Sequence, residues 1–78
     1  MRKDEKQMYL RNKAIGYWSA CGGVELLDIN YDINDYAIIV LNAWSGKKSV
    51  HRVKIYYGNR DYITIHGYRL YFDECIRM

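Results

Sequence analysis

Polar and apolar residues alternate near the middle of the chain, and Asp28, Asn30 and Asp32 have the spacing of the first calcium ligands in an EF-hand loop. Such a loop also needs a glycine at its sixth position and a glutamate at its twelfth. This chain has Ile33 and Ile39 at those two positions. The pattern therefore predicts the solvated face of a strand, where charges discourage pairing with other chains, and not a calcium site.

Four other side chains have zinc-binding chemistry, namely His51, His66, Cys21 and Cys75. A zinc site needs three or four ligands, and these residues are so far apart in sequence that only the fold could bring them together. We therefore expect ordinary strand histidines, no metal site and no cofactor. The two cysteines lie near opposite ends of the presumed fold, which favours reduced thiols and leaves a single end-to-end disulfide open.

Groups that could perform catalysis are few. Asp73 and Glu74 are adjacent, and adjacent side chains point to opposite faces of a strand and do not face each other on a helix. Cys75 has no neighbouring base in the sequence that would activate its thiol. A core formed by only 78 residues seldom encloses the water-poor cleft that catalysis needs. The sequence therefore predicts a protein that is not an enzyme.

Charge is distributed unevenly, although the net charge is only +3. Residues 1–13 carry five basic and two acidic side chains, and residues 47–69 carry six basic side chains and Asp61. Residues 23–46 carry four acidic side chains, and residues 70–78 have a net charge of −1. We therefore expect separate basic and acidic surfaces.

Tyrosines are interleaved with the second basic segment, and the chain has nine tyrosines against one phenylalanine. Arginine and tyrosine often dominate the energetics of protein interfaces, whereas cations beside aromatic rings also suit single-stranded nucleic acid. Strand propensity alone would also place tyrosine at exposed positions. We expect a protein partner, because dedicated nucleic-acid binders are usually more basic, and a nucleic-acid-binding module is the alternative. The expected partner-binding residues are Arg52, Lys54, Tyr56, Arg60, Tyr62, Tyr68 and Arg69.

Length and composition predict a single small α+β domain over residues 1–78. No stretch approaches the ~20 apolar residues of a membrane span, and the polar start Met1–Lys6 has no apolar signal region. We therefore expect a cytoplasmic protein without membrane contact. An exposed sheet edge leaves homodimerisation open.

One helix is predicted from about Asp4 to Cys21, because apolar residues recur at helical spacing through Leu10, Ala14 and Tyr17. Gly22-Gly23 is expected to end it, since glycine enters the left-handed conformation without a Cβ penalty. Strands and turns follow. The strands are predicted at Val24–Ile33, Tyr36–Trp44, Ser49–Tyr57 and, as a pair joined at His66-Gly67, within Tyr62–Phe72, with turns at Asn34-Asp35, Ser45–Lys48 and Gly58–Asp61.

The predicted fold is one N-terminal helix packed on a four- to five-stranded antiparallel meander. Residues 37–41 are apolar at every position, as expected for a central strand that the helix covers on one side. Val53, Ile55 and Tyr57 are expected to point inward from the third strand. The predicted core residues are Leu10, Ala14, Tyr17, Leu27, Ile29, Ile39, Leu41, Val53, Ile55 and Ile63.

The segment 65–74 consists of a glycine turn, a basic and aromatic strand, and an acidic pair, Asp73-Glu74. This ending resembles that of small uncharacterised proteins from phages and mobile elements of Gram-positive bacteria. The resemblance implies a phage-type accessory protein that acts by binding, for example as an inhibitor of a host defence or replication protein. It transfers no functional residue to any position here.

Overall fold

A computed structural model describes residues 2–43 and 47–77, without the side chains of Cys21 and Ala43. The described chain contains one α-helix, six strands and two short 3-10 turns. In order these are α1 (Lys3–Ala14), β1 (Gly16–Trp18), a 3-10 turn (Ala20–Gly22), β2 (Val24–Tyr31), β3 (Tyr36–Ala43), β4 (Lys48–Tyr56), β5 (Tyr62–Ile65), β6 (Tyr68–Tyr71) and a 3-10 turn (Phe72–Glu74). The strands form one antiparallel sheet in the order β1 to β6. The α+β class and the antiparallel sheet are confirmed, but the strand number is six, not four to five.

Helix α1 contains only residues that tolerate a helix well, without glycine, proline or β-branched side chains. Acidic residues in its first turn and basic residues in its last turn also suit the helix dipole. The predicted extension to Cys21 is wrong. The backbone becomes extended at Ile15, and Gly16 begins a strand. Gly22 and Gly23 do adopt positive φ, but they end a 3-10 turn before β2 and not the helix.

Strand β1 nearly closes the sheet into a barrel. The N–H of Tyr17 donates to the carbonyl of Ile76 at 2.9 Å, and the N–H of Ile76 donates back to Tyr17 at 2.8 Å. These bonds join the first strand to the segment that follows β6. A Cβ atom at position 16 would contact the Ile76 carbonyl oxygen and lie 2.7 Å from Cys75 Sγ, so this close approach requires glycine.

The alternation of side chains in β2 is interrupted by a bulge. The pairing with β3 shifts between Leu26 and Asp28, so Leu27 is the extra residue. An extra residue reverses the parity of the strand, and the buried positions are therefore Val24, Leu26 and Ile29. Of the two core residues predicted in this strand, Leu27 and Ile29, only Ile29 is buried. The strand ends at Tyr31 and not at Ile33.

The predicted tight turns are found at both positions: His66-Gly67 joins β5 directly to β6, whereas Asn34-Asp35 lies within the connection 32–35 between β2 and β3. Asn34 and Asp35 have positive φ, as do His66 and Gly67, which is the backbone that matches the twist of an antiparallel hairpin. The predicted strand end at Trp44 and the Ser45-Gly46 turn lie outside the described residues. Strand β4 pairs with β3 through Lys48–Lys54 and with β5 through Ile55 and Tyr56, so it belongs to both halves of the sheet.

The core lies between the inner face of the sheet and α1. Eight of the ten predicted core residues are buried there, but Tyr17 is 37% exposed and Leu27 is half-buried. Trp18 and Leu26, one position away in each case, are fully buried. Tyr57 is also exposed, because β4 ends at Tyr56. The residues of the core cluster are Leu10, Ala14, Trp18, Val24, Leu26, Ile29, Ala37, Ile39, Leu41, Val53, Ile55, Ile63, Ile65, Leu70 and Phe72.

The Gln7 side chain of α1 forms hydrogen bonds with the part of the β2 backbone that strand β1 does not reach. Gln7 Nε2 donates to the Ile29 carbonyl at 2.8 Å, and its Oε1 accepts from the Tyr31 N–H. Strand β1 reaches only as far as Leu26 along β2. A helix side chain therefore satisfies an edge that the short neighbouring strand leaves open.

We expect Gln7→Ala to lower the free energy of unfolding by about 1–2 kcal/mol, because two partly buried backbone groups lose their partners. Urea unfolding followed by circular dichroism measures this. Asn12→Ala removes the same kind of side chain from an exposed position of α1 and should change stability by less than about 0.5 kcal/mol. Equal effects of the two substitutions would show that the Gln7 bonds contribute nothing.

Candidate functional site

Three tyrosines form a row across the outer face of the sheet, the face turned away from the core. Tyr56 of β4 lies opposite Tyr62 of β5, which lies opposite Tyr71 of β6. The Tyr56 and Tyr62 rings stack with centroids 5.0 Å apart and planes 12° apart, and the Tyr62 and Tyr71 centroids are 5.3 Å apart. We call these residues the tyrosine ladder. Cross-strand aromatic pairs of this kind stabilise a sheet and hold the rings in fixed positions.

Cations lie over each ring of the ladder. Lys54 Nζ is 5.3 Å from the centroid of Tyr56, the Arg69 guanidinium is 4.9 Å from that of Tyr62, and the Arg60 guanidinium is 3.8 Å from that of Tyr71. Arg69 also donates to the hydroxyl of Tyr71 at 3.2 Å. These contacts order side chains that would otherwise sample many rotamers, and so lower the entropy that binding would cost.

Two adjacent carboxylates hold Arg60 in place. Arg60 donates to Asp73 from Nε at 2.8 Å and from Nη2 at 2.7 Å, and Nη2 lies 3.1 Å from Glu74 Oε2. Both carboxylates converge on one guanidinium because Phe72–Glu74 forms a 3-10 turn and not the strand or α-helix considered from sequence. Hydrogen bonds from Arg60 keep the pKa of Asp73 below its usual range.

This lowered pKa predicts an acid-dependent contribution to stability. The contribution of ionised Asp73 is complete above its unfolded-state pKa, near 4, and is lost as the pH falls through the lower folded-state pKa. At about pH 7 we therefore expect the free energy of unfolding to be higher for wild type than for Asp73→Asn. The difference between the two proteins should shrink as the pH falls towards about 2.5. Urea unfolding of both proteins across this range measures it. Added salt should also reduce the difference, since the pair is exposed. A difference that is independent of pH would contradict the assignment.

Arg52 forms a second cation and ring pair on the same outer face. Its guanidinium lies 4.0 Å from the ring centroid of Tyr36, and its Nε donates to Asp32 at 3.2 Å. Tyr36 is directly opposite Lys54 in the sheet. The Arg52 and Tyr36 pair is therefore next to the ladder but is held by its own carboxylate.

Of the seven residues predicted to bind a partner, six belong to this connected surface. Tyr68 does not, because it has the strand parity of buried Leu70 and lies 54% exposed at the end of the β5–β6 hairpin. Sequence reasoning missed Tyr71, Tyr36 and the carboxylates that hold the arginines. Tyr71 could have been found by its two-residue spacing from Arg69.

The surface is less basic than the sequence suggested. Arg52 pairs with Asp32, and Arg60 pairs with Asp73 and Glu74. The other two cations, Lys54 and Arg69, lie over tyrosine rings. Two of the arginines are therefore already paired with acidic groups. A surface that is aromatic and nearly neutral fits the composition of a protein interface better than that of a phosphate-binding groove.

A groove of about 270 Å³ lies near the ladder, between α1 and the β4–β5 turn. Tyr9 donates to Asp61 there, and the same carboxylate accepts from the Gly58 N–H at 3.2 Å. Burial and this bond raise the pKa of Tyr9. The Tyr9 hydroxyl and the Asp61 carboxylate of the groove are therefore occupied by each other.

The residues with zinc-binding chemistry are partly brought together. The His51 and His66 rings meet edge to face with centroids 5.8 Å apart, and His51 Nε2 lies 2.9 Å from Ser49 Oγ. Among the described residues, no group of three or more histidine, cysteine or acidic side chains could hold a metal ion. Cys75 is a free, half-buried thiol whose pKa is raised by burial, which is the reverse of activation as a nucleophile.

Comparison with protein families, curated proteins and solved structures finds no match to this chain. In the described parts of the chain, no helix has the length and apolar character needed to cross a membrane.

Proposed function

We propose that this protein acts by binding a protein partner through the tyrosine ladder and its flanking cations. The observation that carries the proposal is the row of ring contacts from Tyr56 through Tyr62 to Tyr71, with a cation over each ring. Aromatic and arginine side chains supply most of the energy at many protein interfaces, particularly where they are rigid before binding.

The charge arrangement favours a protein over nucleic acid as the partner. Arg60 and Arg52 are neutralised by carboxylates of the same chain, whereas Lys54 and Arg69 contact tyrosines of the ladder. A nucleic-acid groove would instead hold its cations free for successive phosphates. The resemblance of residues 65–74 to phage accessory proteins directs the search to host defence or replication proteins.

Lys54→Glu combined with Arg69→Glu should weaken the binding of an acidic or aromatic-rich partner by about 2 kcal/mol, or roughly 30-fold in the dissociation constant. The reason is that two favourable contacts become repulsive. This pair leaves the Arg52–Asp32 and Arg60–Asp73 ion pairs intact, which reversal of Arg52 would not. The measurement is calorimetric titration of the partner obtained by affinity purification. Melting curves of both proteins verify that the fold is retained.

The matched control is Lys3→Glu combined with Lys13→Glu, which makes the same change of charge on exposed positions of α1. The control should bind like wild type. Equal loss of affinity in both double variants would mean that overall charge and not the ladder determines binding. Affinity for single-stranded oligonucleotides that falls steeply with salt, with capture of the partner abolished by nuclease, would instead establish the nucleic-acid alternative.

A further inference from the structure

A second part of the outer face, on strands β2 to β4, is apolar at its centre. Ile38 and Val40 of β3 alternate with the fully buried Ala37, Ile39 and Leu41, so they point away from the core. Val50 lies directly opposite Val40 on β4 and is 67% exposed. These three residues, Ile38, Val40 and Val50, form what we call the valine patch.

The two sides of the valine patch carry opposite charges. Asp28 and Glu25 lie on the β2 side, where Asp28 is opposite Val40 and Glu25 is opposite Asn42. Lys48 lies on the β4 side, opposite the same Asn42. Arg52 lies on that side too, opposite Ile38. The sheet therefore presents an acidic strand, an apolar strand and a basic strand in succession.

We propose that the valine patch binds a second copy of this chain in a two-fold symmetric, face-to-face dimer. Consider a two-fold axis that runs parallel to β3, directly above that strand and midway between the two sheets. This axis places Val40 on Val40 of the other copy. It also places β2 of each copy on β4 of the other, so that Glu25 approaches Lys48. An axis perpendicular to the strands would place β2 on β2 and oppose like charges, so charge complementarity selects the first arrangement.

The acidic side chains remain able to reach a partner in this arrangement. Asp28 pairs with Arg11 at 3.2 Å, accepts from Asn30 at 3.0 Å and is still 41% exposed, and Glu25 accepts a long bond of 3.3 Å from Asn42. Aligned sheets pack about 10 Å apart, a distance that valine and isoleucine side chains from both copies fill. The ladder lies on the β4–β6 half of the outer face, so each dimer would present two ladders.

The first test is sedimentation equilibrium of the full chain over a wide range of concentrations. Wild type should show a monomer–dimer equilibrium, and Val50→Lys should raise the dissociation constant by about tenfold or more, because it buries an unpaired charge. Ile33→Lys changes an apolar residue that is 55% exposed in the β2–β3 turn, away from the patch, and should leave the dimer intact. A wild-type chain that stays monomeric up to about 1 mM overturns the proposal. A dimer that Val50→Lys does not weaken also overturns it.

The second test uses complementary charge reversals and needs no other partner. Glu25→Lys and Lys48→Glu should each weaken the homodimer. In either variant, positions 25 and 48 carry like charges, and they meet at two places across the axis. An equimolar mixture should form a heterodimer, since both contacts then join opposite charges. Two single variants that dimerise like wild type, or a mixture no tighter than the separate variants, would exclude this arrangement. Melting curves of each variant show that a lost dimer is not a lost fold.

Discussion

Replacing Trp18 by alanine is expected to lower the free energy of unfolding by about 3–5 kcal/mol, the typical cost of removing a buried aromatic side chain. Trp18 is the largest fully buried side chain among the residues that the structure describes, and its Nε1 donates to the Tyr71 carbonyl at 2.6 Å. The residue therefore fills the core and also joins β1 to β6 where the barrel nearly closes. A small domain has roughly 5 kcal/mol of total stability, so the variant should retain at most about 2 kcal/mol and melt well below wild type.

Trp18→Phe separates these two contributions. Phenylalanine keeps most of the ring volume but cannot donate to Tyr71, so it should cost less than alanine, about 1–3 kcal/mol. Urea unfolding followed by far-ultraviolet circular dichroism measures both variants without relying on tryptophan emission. A cost of less than about 1 kcal/mol for Trp18→Ala would contradict the assignment of Trp18 to the core.

The second large effect is expected at Ile39 in the central strand β3. Ile39→Ala should cost about 2–5 kcal/mol, because the fully buried side chain leaves a cavity between the sheet and α1. Ile33→Ala is a matched control, since it makes the same change at a side chain that is 55% exposed in the β2–β3 turn. We expect it to cost less than about 1 kcal/mol. Thermal and urea unfolding of both variants test this difference. A cooperative transition in Ile39→Ala that is almost unchanged from wild type would show that β3 is not the central strand.

The tyrosine ladder and the valine patch use the same outer face in different ways. The ladder joins rings and cations of three strands that are already fixed by one another, whereas the valine patch is an apolar centre between opposite charges. If both proposals hold, dimerisation doubles the number of ladders, and linked ladders would strengthen binding to a partner that carries two matching surfaces.

Local chemistry determined the start of α1, the antiparallel strands and both tight turns. Most residues of 3–14 have good helix propensity, and Asn34-Asp35 and His66-Gly67 tolerate the positive φ that a tight hairpin needs. Alternation along a strand is a local property, so side-chain type also predicted the inward positions of β4 and β5, namely Val53, Ile55 and Ile63. Two of the three ladder tyrosines, Tyr56 and Tyr62, were among the partner-binding residues expected from sequence.

Long-range contacts decided the rest. Leu10, Ala14 and Trp18 have the four-residue spacing of a continuous helix, yet Trp18 reaches the core from a strand because the Ile76 backbone pairs with β1. The bulge at Leu27 depends on the register with β3, and a single extra residue changed which leucine is buried. The pairing of Arg60 with Asp73 and Glu74 required a turn that places both carboxylates beside one guanidinium. These contacts join residues distant in sequence, and their energies appear only when the whole sheet has formed.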